Sequence, residues 1–126
     1  PVRRYLEEGM HIGLGSDVAG GTSENLFAAM AQSIQASKLR WRLLDDTLKP
    51  LTIEEAFFMA TKGGGAFFGK VGSFEPGYEF DAVICDDSRL EHPQDLTVKQ
   101  RLERIIYLGD EREVSQKFVS GRKVLK

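Results

Sequence analysis

Between His11 and Gly21 the chain alternates apolar residues with glycine, Ile12-Gly13-Leu14-Gly15, and then reaches Ser16-Asp17 and a glycine-rich break. Period-two alternation predicts a buried strand, and glycine inside it predicts close approach by another backbone. Asp17 then stands at the C-terminal end of that strand, where chemistry collects in parallel βα architectures. Ahead of it, Tyr5 and Leu6 belong to a helix end that Gly9 closes as a left-handed cap. After it, Thr22 or Ser23 is placed to cap a helix in which Phe27, Met30, Ile34, Trp41 and Leu44 share one apolar stripe. The stripe predicts the longest helix of the chain, packed on a sheet or barrel wall.

Pro50 ends that connection, and Thr52-Ile53-Glu54-Glu55 is a capping box. The helix it opens is expected to run to about Lys62 and to stop at Gly63, Gly64 and Gly65. From Val71 the rhythm changes. Glu75-Pro76-Gly77 has the residues of a type II turn, and Phe80 to Cys85 is a compact strand headed by Asp81. Thr97 to Gln100 forms a second capping box. Val98, Leu102, Ile105 and Ile106 line one face of the helix it starts, and Gly109 ends it. Lys117 to Val119, Ser120-Gly121 and Arg122 to Leu125 read as a hairpin with a two-residue turn. The chain therefore divides near Gly69 into a βα part and a smaller β-rich part.

Composition narrows the function classes. In 126 residues, 41% are hydrophobic and 29% charged, which suits a soluble globular chain with a modest core. A net charge of −2 and a pI near 5.7 give no electrostatic reason to expect nucleic acid or an anionic membrane as partner. No apolar run reaches the roughly 20 residues of a membrane helix. Cys85 is the single cysteine, which removes an internal disulfide framework and points to a reducing, cytoplasmic location. The chain opens on Pro1 inside a helix end, so it reads as the tail of a longer protein.

Few residues offer chemistry. Gly13, Gly15 and Gly20 suggest a dinucleotide loop, but Val18 occupies the last glycine position of G-x-G-x-x-G, and Asp17 would repel a pyrophosphate. The run Gly64 to Lys70 resembles a P-loop until Val71, which replaces the magnesium-binding hydroxyl; it reads instead as a glycine-interrupted helix pair with Phe67 and Phe68 in the core. His11 and Asp17 lie at opposite ends of an extended segment, roughly 20 Å apart, too far to share a metal. His92 reads as a surface residue, Lys38, Arg40 and Arg42 as a solvated helix face, Cys85 as a small core residue, and Asp86 and Asp87 as a strand end in solvent. Asp17 has two readings, a helix cap or a group that holds a metal or moves a proton. Thr22 and Ser23, closer to the helix, favour the second.

The runs GLGSDVAGG, TIEEAFFMATKGGGAFFG and VGSFEPGYEFDAVICD together resemble the amidohydrolase superfamily, and IIYLGDEREVSQKFVSGRKV, residues 105 to 124, is similar to the guanine deaminase family within it. The resemblance implies an α/β fold: the last βα unit of a (β/α)₈ barrel in residues 1–70, and the C-terminal portion of a small flanking β-sandwich, with one helix, in residues 71–126. It implies a zinc-dependent enzyme that hydrolyses guanine to xanthine and ammonia, forms a homo-oligomer and uses Asp17 as both metal ligand and catalytic proton carrier. The family's other ligands, a His-x-His pair and a further His, have no counterpart in this chain, so the chain alone is expected to be inactive. Taken alone, its uncovered strand and its helix stripe are expected to be disordered or to self-associate. Two alternatives stand beside this reading: a related deaminase or chlorohydrolase acting on another nitrogen heterocycle, or a noncatalytic packing or dimerisation module.

Overall fold

The computed structural model describes residues 1–21 and 23–125, with Leu125 described by its backbone alone. In chain order the elements are α1 (Val2–Glu7), α2 (Leu26–Leu43), α3 (Ile53–Phe58), β1 (Ala82–Cys85), α4 (Val98–Leu108), β2 (Val114–Val119) and β3 (Arg122–Leu125). A π-turn, Met59–Gly63, and a 3-10 turn, Ala66–Phe68, follow α3, and a second 3-10 turn, Glu111–Glu113, precedes β2.

Local sequence accounts for most of the element boundaries. Gly9, at φ 74°, ends α1; its N–H donates to Leu6 O while the Met10 N–H donates to Tyr5 O, the paired bonds of a Schellman cap. Both capping boxes form as expected, Thr52 with Glu55 and Thr97 with Gln100. Asn25 caps α2 by accepting from the Phe27 N–H at 2.8 Å. Ser23, expected in that role, accepts instead from Asn25 N–H, and Thr22 lies outside the described residues.

The core is a small helical layer. Met30 and Ile34 of α2 meet Leu51, Ala56, Met59 and, from α4, Ile106, while Ile12, Leu14, Phe27 and Leu102 pack around them half-buried. The α2 stripe outruns this core. Trp41 is 40% and Leu44 74% exposed, because no described element reaches that end of the helix to serve as the expected wall. In α4, Val98 occupies the first turn and stays in solvent, so the buried face begins at Leu102.

Glycines 63 to 65 do not stop the third helix. The path widens into the π-turn at Met59–Gly63 and tightens again to Ala66–Phe68, and only Gly69, at φ 110°, breaks it. Phe67 and Phe68 consequently sit on the far side of the path, 87% and 77% exposed and packed edge to face on one another rather than in the core.

The second half builds an antiparallel sheet in the order β1-β2-β3. Phe74 and Phe118 pack on Phe80, with ring centroids 6.0 and 5.6 Å away. The type II turn forms, with Gly77 at φ 87° and the Tyr78 N–H donating to Glu75 O. Ser120 and Gly121, at φ 48° and 75°, make the mirror-image turn that suits the twist of a two-residue hairpin.

Candidate functional site

Residues 11–17 belong to no strand among the described residues. The expected alternation is nevertheless present: Ile12, Leu14 and Ser16 are half-buried and His11, Gly13, Gly15 and Asp17 exposed. A strand assignment needs a ladder, and of the backbone donors from His11 to Asp17 the Leu14 N–H alone finds a described backbone partner, Met59 O at 2.9 Å.

At the end of this segment the chain folds on itself. Asp17 adopts φ 51° and Ala19 φ 81°, left-handed values that aspartate tolerates better than most residues. The Asp17 carbonyl accepts from the N–H groups of Gly20 and Gly21, and Val18 bridges to Gly21. The backbone of Asp17 thus braces the turn while its side chain stays exposed, with no hydrogen bond or ion pair to a described residue. A Cβ on Gly20 would lie 2.8 Å from Asp17 Oδ2, so glycine there leaves the carboxylate its room. The helix-cap reading of Asp17 does not hold, because Asn25 fills that role.

An exposed, unpaired carboxylate suits a zinc ligand, since zinc accepts one carboxylate oxygen among its few ligands. Among the described residues, no group of three or more His, Cys, Asp or Glu side chains is arranged to hold a metal ion. Asp17 also lines neither of two open grooves of about 310 and 320 Å³, the first beside His92, Gln100 and Tyr107 and the second between Ile34, Leu51 and Lys99.

The other candidates have structural roles. His92 is exposed and its Nδ1 accepts from the Gln94 N–H at 3.2 Å, bracing its own loop. Cys85 is half-buried in β1, where burial, assisted by the charges of Asp87 and Glu113, pushes its thiol up and away from reactivity. Asp86 accepts from the Ser88 N–H, and Asp87 is more than a solvated strand end. Its two oxygens grip Arg101 at 2.7 and 2.6 Å, tying β1 to α4, and the guanidinium holds its carboxyl below the usual range. Lys38 and Arg42 are solvated, but Arg40 is half-buried with its Nε unpaired among the described residues.

Two connections, one half-buried and one to a buried carboxylate, gave no sequence signal beyond their residue types. Arg3 donates to both oxygens of Glu55 at 2.6 Å and to the carbonyls of Lys49 and Pro50, clamping α1 to the start of α3. Glu113, 2% exposed, accepts from the Asp110 N–H and from Arg89. No helix among the described residues is long and apolar enough to cross a membrane.

Comparison with known proteins places this geometry. A guanine deaminase of Dictyostelium discoideum is 35% identical over 98% of this chain and 29% of its own length, and the human guanine deaminase 33% identical over 98% and 30%. Among solved structures, guanine deaminase from C. acetobutylicum with guanine bound in its active site superposes with a TM-score of 0.93 at 48% identity, over 99% of this chain and 30% of that one. The E. coli guanine deaminase superposes with a TM-score of 0.83 at 25% identity, over 100% of this chain and 30% of that one. The chain spans about 30% of the length of such relatives. Residues 1–124 match the amidohydrolase family, and the chain belongs to it.

Proposed function

We propose that the protein carrying this chain is a zinc-dependent guanine deaminase, converting guanine and water to xanthine and ammonia, and that Asp17 is its metal-ligating and proton-carrying residue. The observation that carries this reading is the likeness, at a TM-score of 0.93 and 48% identity, to a deaminase with guanine in its active site, joined to an exposed Asp17 carboxylate without a partner among the described residues. One chain in this reading delivers one ligand; the others come from outside these residues.

Zinc at such a site supplies water whose pKa falls from about 15.7 to about 7. Asp17 takes the proton of the attacking water as its oxygen adds to the ring carbon bearing the exocyclic amine. The same carboxyl then gives that proton to the amine, which leaves as ammonia while the ring carbon keeps the oxygen as a carbonyl and the second water proton passes to the neighbouring ring nitrogen. A carboxylate suits both transfers, because a neighbouring cation keeps it ionised beforehand and the charge developing on the ring favours its protonation. The braced turn at 17–21 holds the carboxylate while it alternates between the two states.

The helices before residue 70 support the end of a barrel there and the antiparallel sheet after it supports part of a sandwich, with α4 of the second half packed on α2. The exposed aromatic residues and the α2 end beyond Trp41 support contact with further protein, in the same protomer or in a homo-oligomer. One half-buried cysteine suits a cytoplasmic setting.

Steady-state assay of the intact protein on guanine, adenosine derivatives and chlorinated triazines, with zinc measured in parallel, tests the proposal. Guanine is expected to be the preferred substrate of a zinc-containing protein. A higher kcat/KM on another heterocycle would move the assignment elsewhere in the family, and absence of turnover on all three would favour a noncatalytic role.

A further inference from the structure

The segment that carries Asp17 is held on the helical layer by a seam of glycines. Gly13 lies against Gly64 so closely that a Cβ on Gly13 would be 2.8 Å from Gly64 Cα, and a Cβ on Gly63 would be 2.8 Å from Ile12 O. Between these contacts the Leu14 N–H donates to Met59 O, the carbonyl that also accepts from the Gly64 N–H across the π-turn. A regular α-helix would give Met59 O to the N–H four residues on. The widened turn instead presents that carbonyl at the helix shoulder, where Leu14 reaches it.

We propose that the contact of Gly13 with the Gly63–Gly64 shoulder sets the position of the Asp17 carboxylate, making Gly13 a positioning residue; the inference rests on the reading of Asp17 given above. Carbon atoms in ordinary contact are about 3.5–4.0 Å apart, so a methyl group at residue 13 has to open the seam by about 1 Å. Ile12 and Leu14 press on the core from either side of Gly13, so the segment cannot rotate to avoid the clash without unpacking. Four residues lead from Gly13 to Asp17. With Leu14 its one described backbone tie, that stretch transmits the shift to the carboxylate. Gly15 provides the contrast: it lies nearer to Asp17, yet nothing stands within 4 Å of a Cβ placed there.

The experiment uses the intact protein with zinc bound. Gly13→Ala is expected to lower kcat on guanine on the order of 10²-fold, the effect of about 1 Å of misplacement, with KM changed far less. It is also expected to hasten zinc release to a chelator while the folded fraction stays near wild type. Gly15→Ala is expected to leave zinc release and kcat near wild type. Equal losses in the two variants, or a Gly13→Ala loss that follows only the fraction unfolded, overturn the proposal. Should Gly13→Ala fail to fold, Gly64→Ala reads the same seam more gently, since its Cβ meets Met59 O at 3.1 Å and Gly13 Cα at 3.8 Å. A smaller loss of kcat with faster zinc release supports the seam, and wild-type values for both overturn it. An Asp17→Ala control separates the two layers of the argument. If Asp17→Ala keeps zinc and turnover, the reading of Asp17 falls and the seam with it; if it loses both while Gly13→Ala is unaffected, the seam alone falls.

Discussion

Residues 11–17 and β2 both alternate half-buried with exposed positions, but only β2 lies in a ladder. Along β2, Lys117 and Gln116 pair with Val83 and Ile84 of β1, and Phe118 and Val119 with Lys123 and Arg122 of β3. The segment ending in Asp17 has the alternation of a buried strand and the packing of one, with Ile12 and Leu14 on the core. What it lacks is neighbours on either side among the described residues. The difference separates two things that strand patterning encodes: which face of the chain is buried, set by local alternation, and which backbone it pairs with, set by partners in space. The hairpin carries its partner two residues away, whereas the Asp17 segment rests on a helix shoulder.

If the two halves are separately held, perturbing one should spare the other. The largest effect is expected from Ile34→Ala, which opens a cavity in the helical layer and should cost about 2–5 kcal/mol. Denaturant unfolding with hydrogen exchange would check it: protection should fall in α2 and α3 while β2 and β3 keep theirs, and a joint loss would make the halves one cooperative unit.

Glu55→Gln should cost about 1 kcal/mol at pH 7, the scale of a helix cap, by weakening the Arg3 clamp and the capping box together. The Arg3 guanidinium holds the Glu55 carboxyl below its usual range. Its folded pKa is thus depressed, and the stabilisation is present above the ordinary glutamate value of about 4.3 and lost as pH falls through the folded value. Thermal unfolding of both proteins from pH 7 down to pH 3 should show their difference shrinking below that value. A difference that grew in acid would contradict the clamp.

Asp87→Asn releases Arg101, which is 52% exposed, so no more than about 0.5 kcal/mol is expected from double-mutant unfolding measurements with Arg101→Ala. The smallest effect belongs to the hairpin turn. Ser120→Asn places a residue that accepts a left-handed conformation at φ 48° and should stabilise the sheet by at most about 0.5 kcal/mol, read as slower exchange at Phe118.

Features written within a few residues were legible in the sequence. Both capping boxes, the Gly9 cap, the Pro76-Gly77 turn and the Ser120-Gly121 hairpin each depend on a side chain or a glycine acting on its own backbone. The glycines flanking Leu14 announced a close approach but not by what, since Gly64 lies about fifty residues away in sequence. The π-turn had no local signal: three successive glycines read as a stop, and only the docking of Leu14 shows why the helix widens there rather than ending. Phe67 and Phe68 were misplaced because an apolar pair predicts burial without saying whether Met59 and Ala56 have already filled the core. For Asp17, alternation and the Gly-Ser-Asp run located the residue and family resemblance suggested its chemistry. The structure adds a braced backbone and an exposed side chain without a partner among the described residues.

The role of Asp17 can be measured directly in the intact protein by replacing it with asparagine and following zinc content, fold and guanine turnover together. The account predicts a folded protein whose turnover falls by about 10²- to 10⁴-fold, the range for loss of a positioned proton carrier. Turnover near wild type with zinc still bound would contradict it.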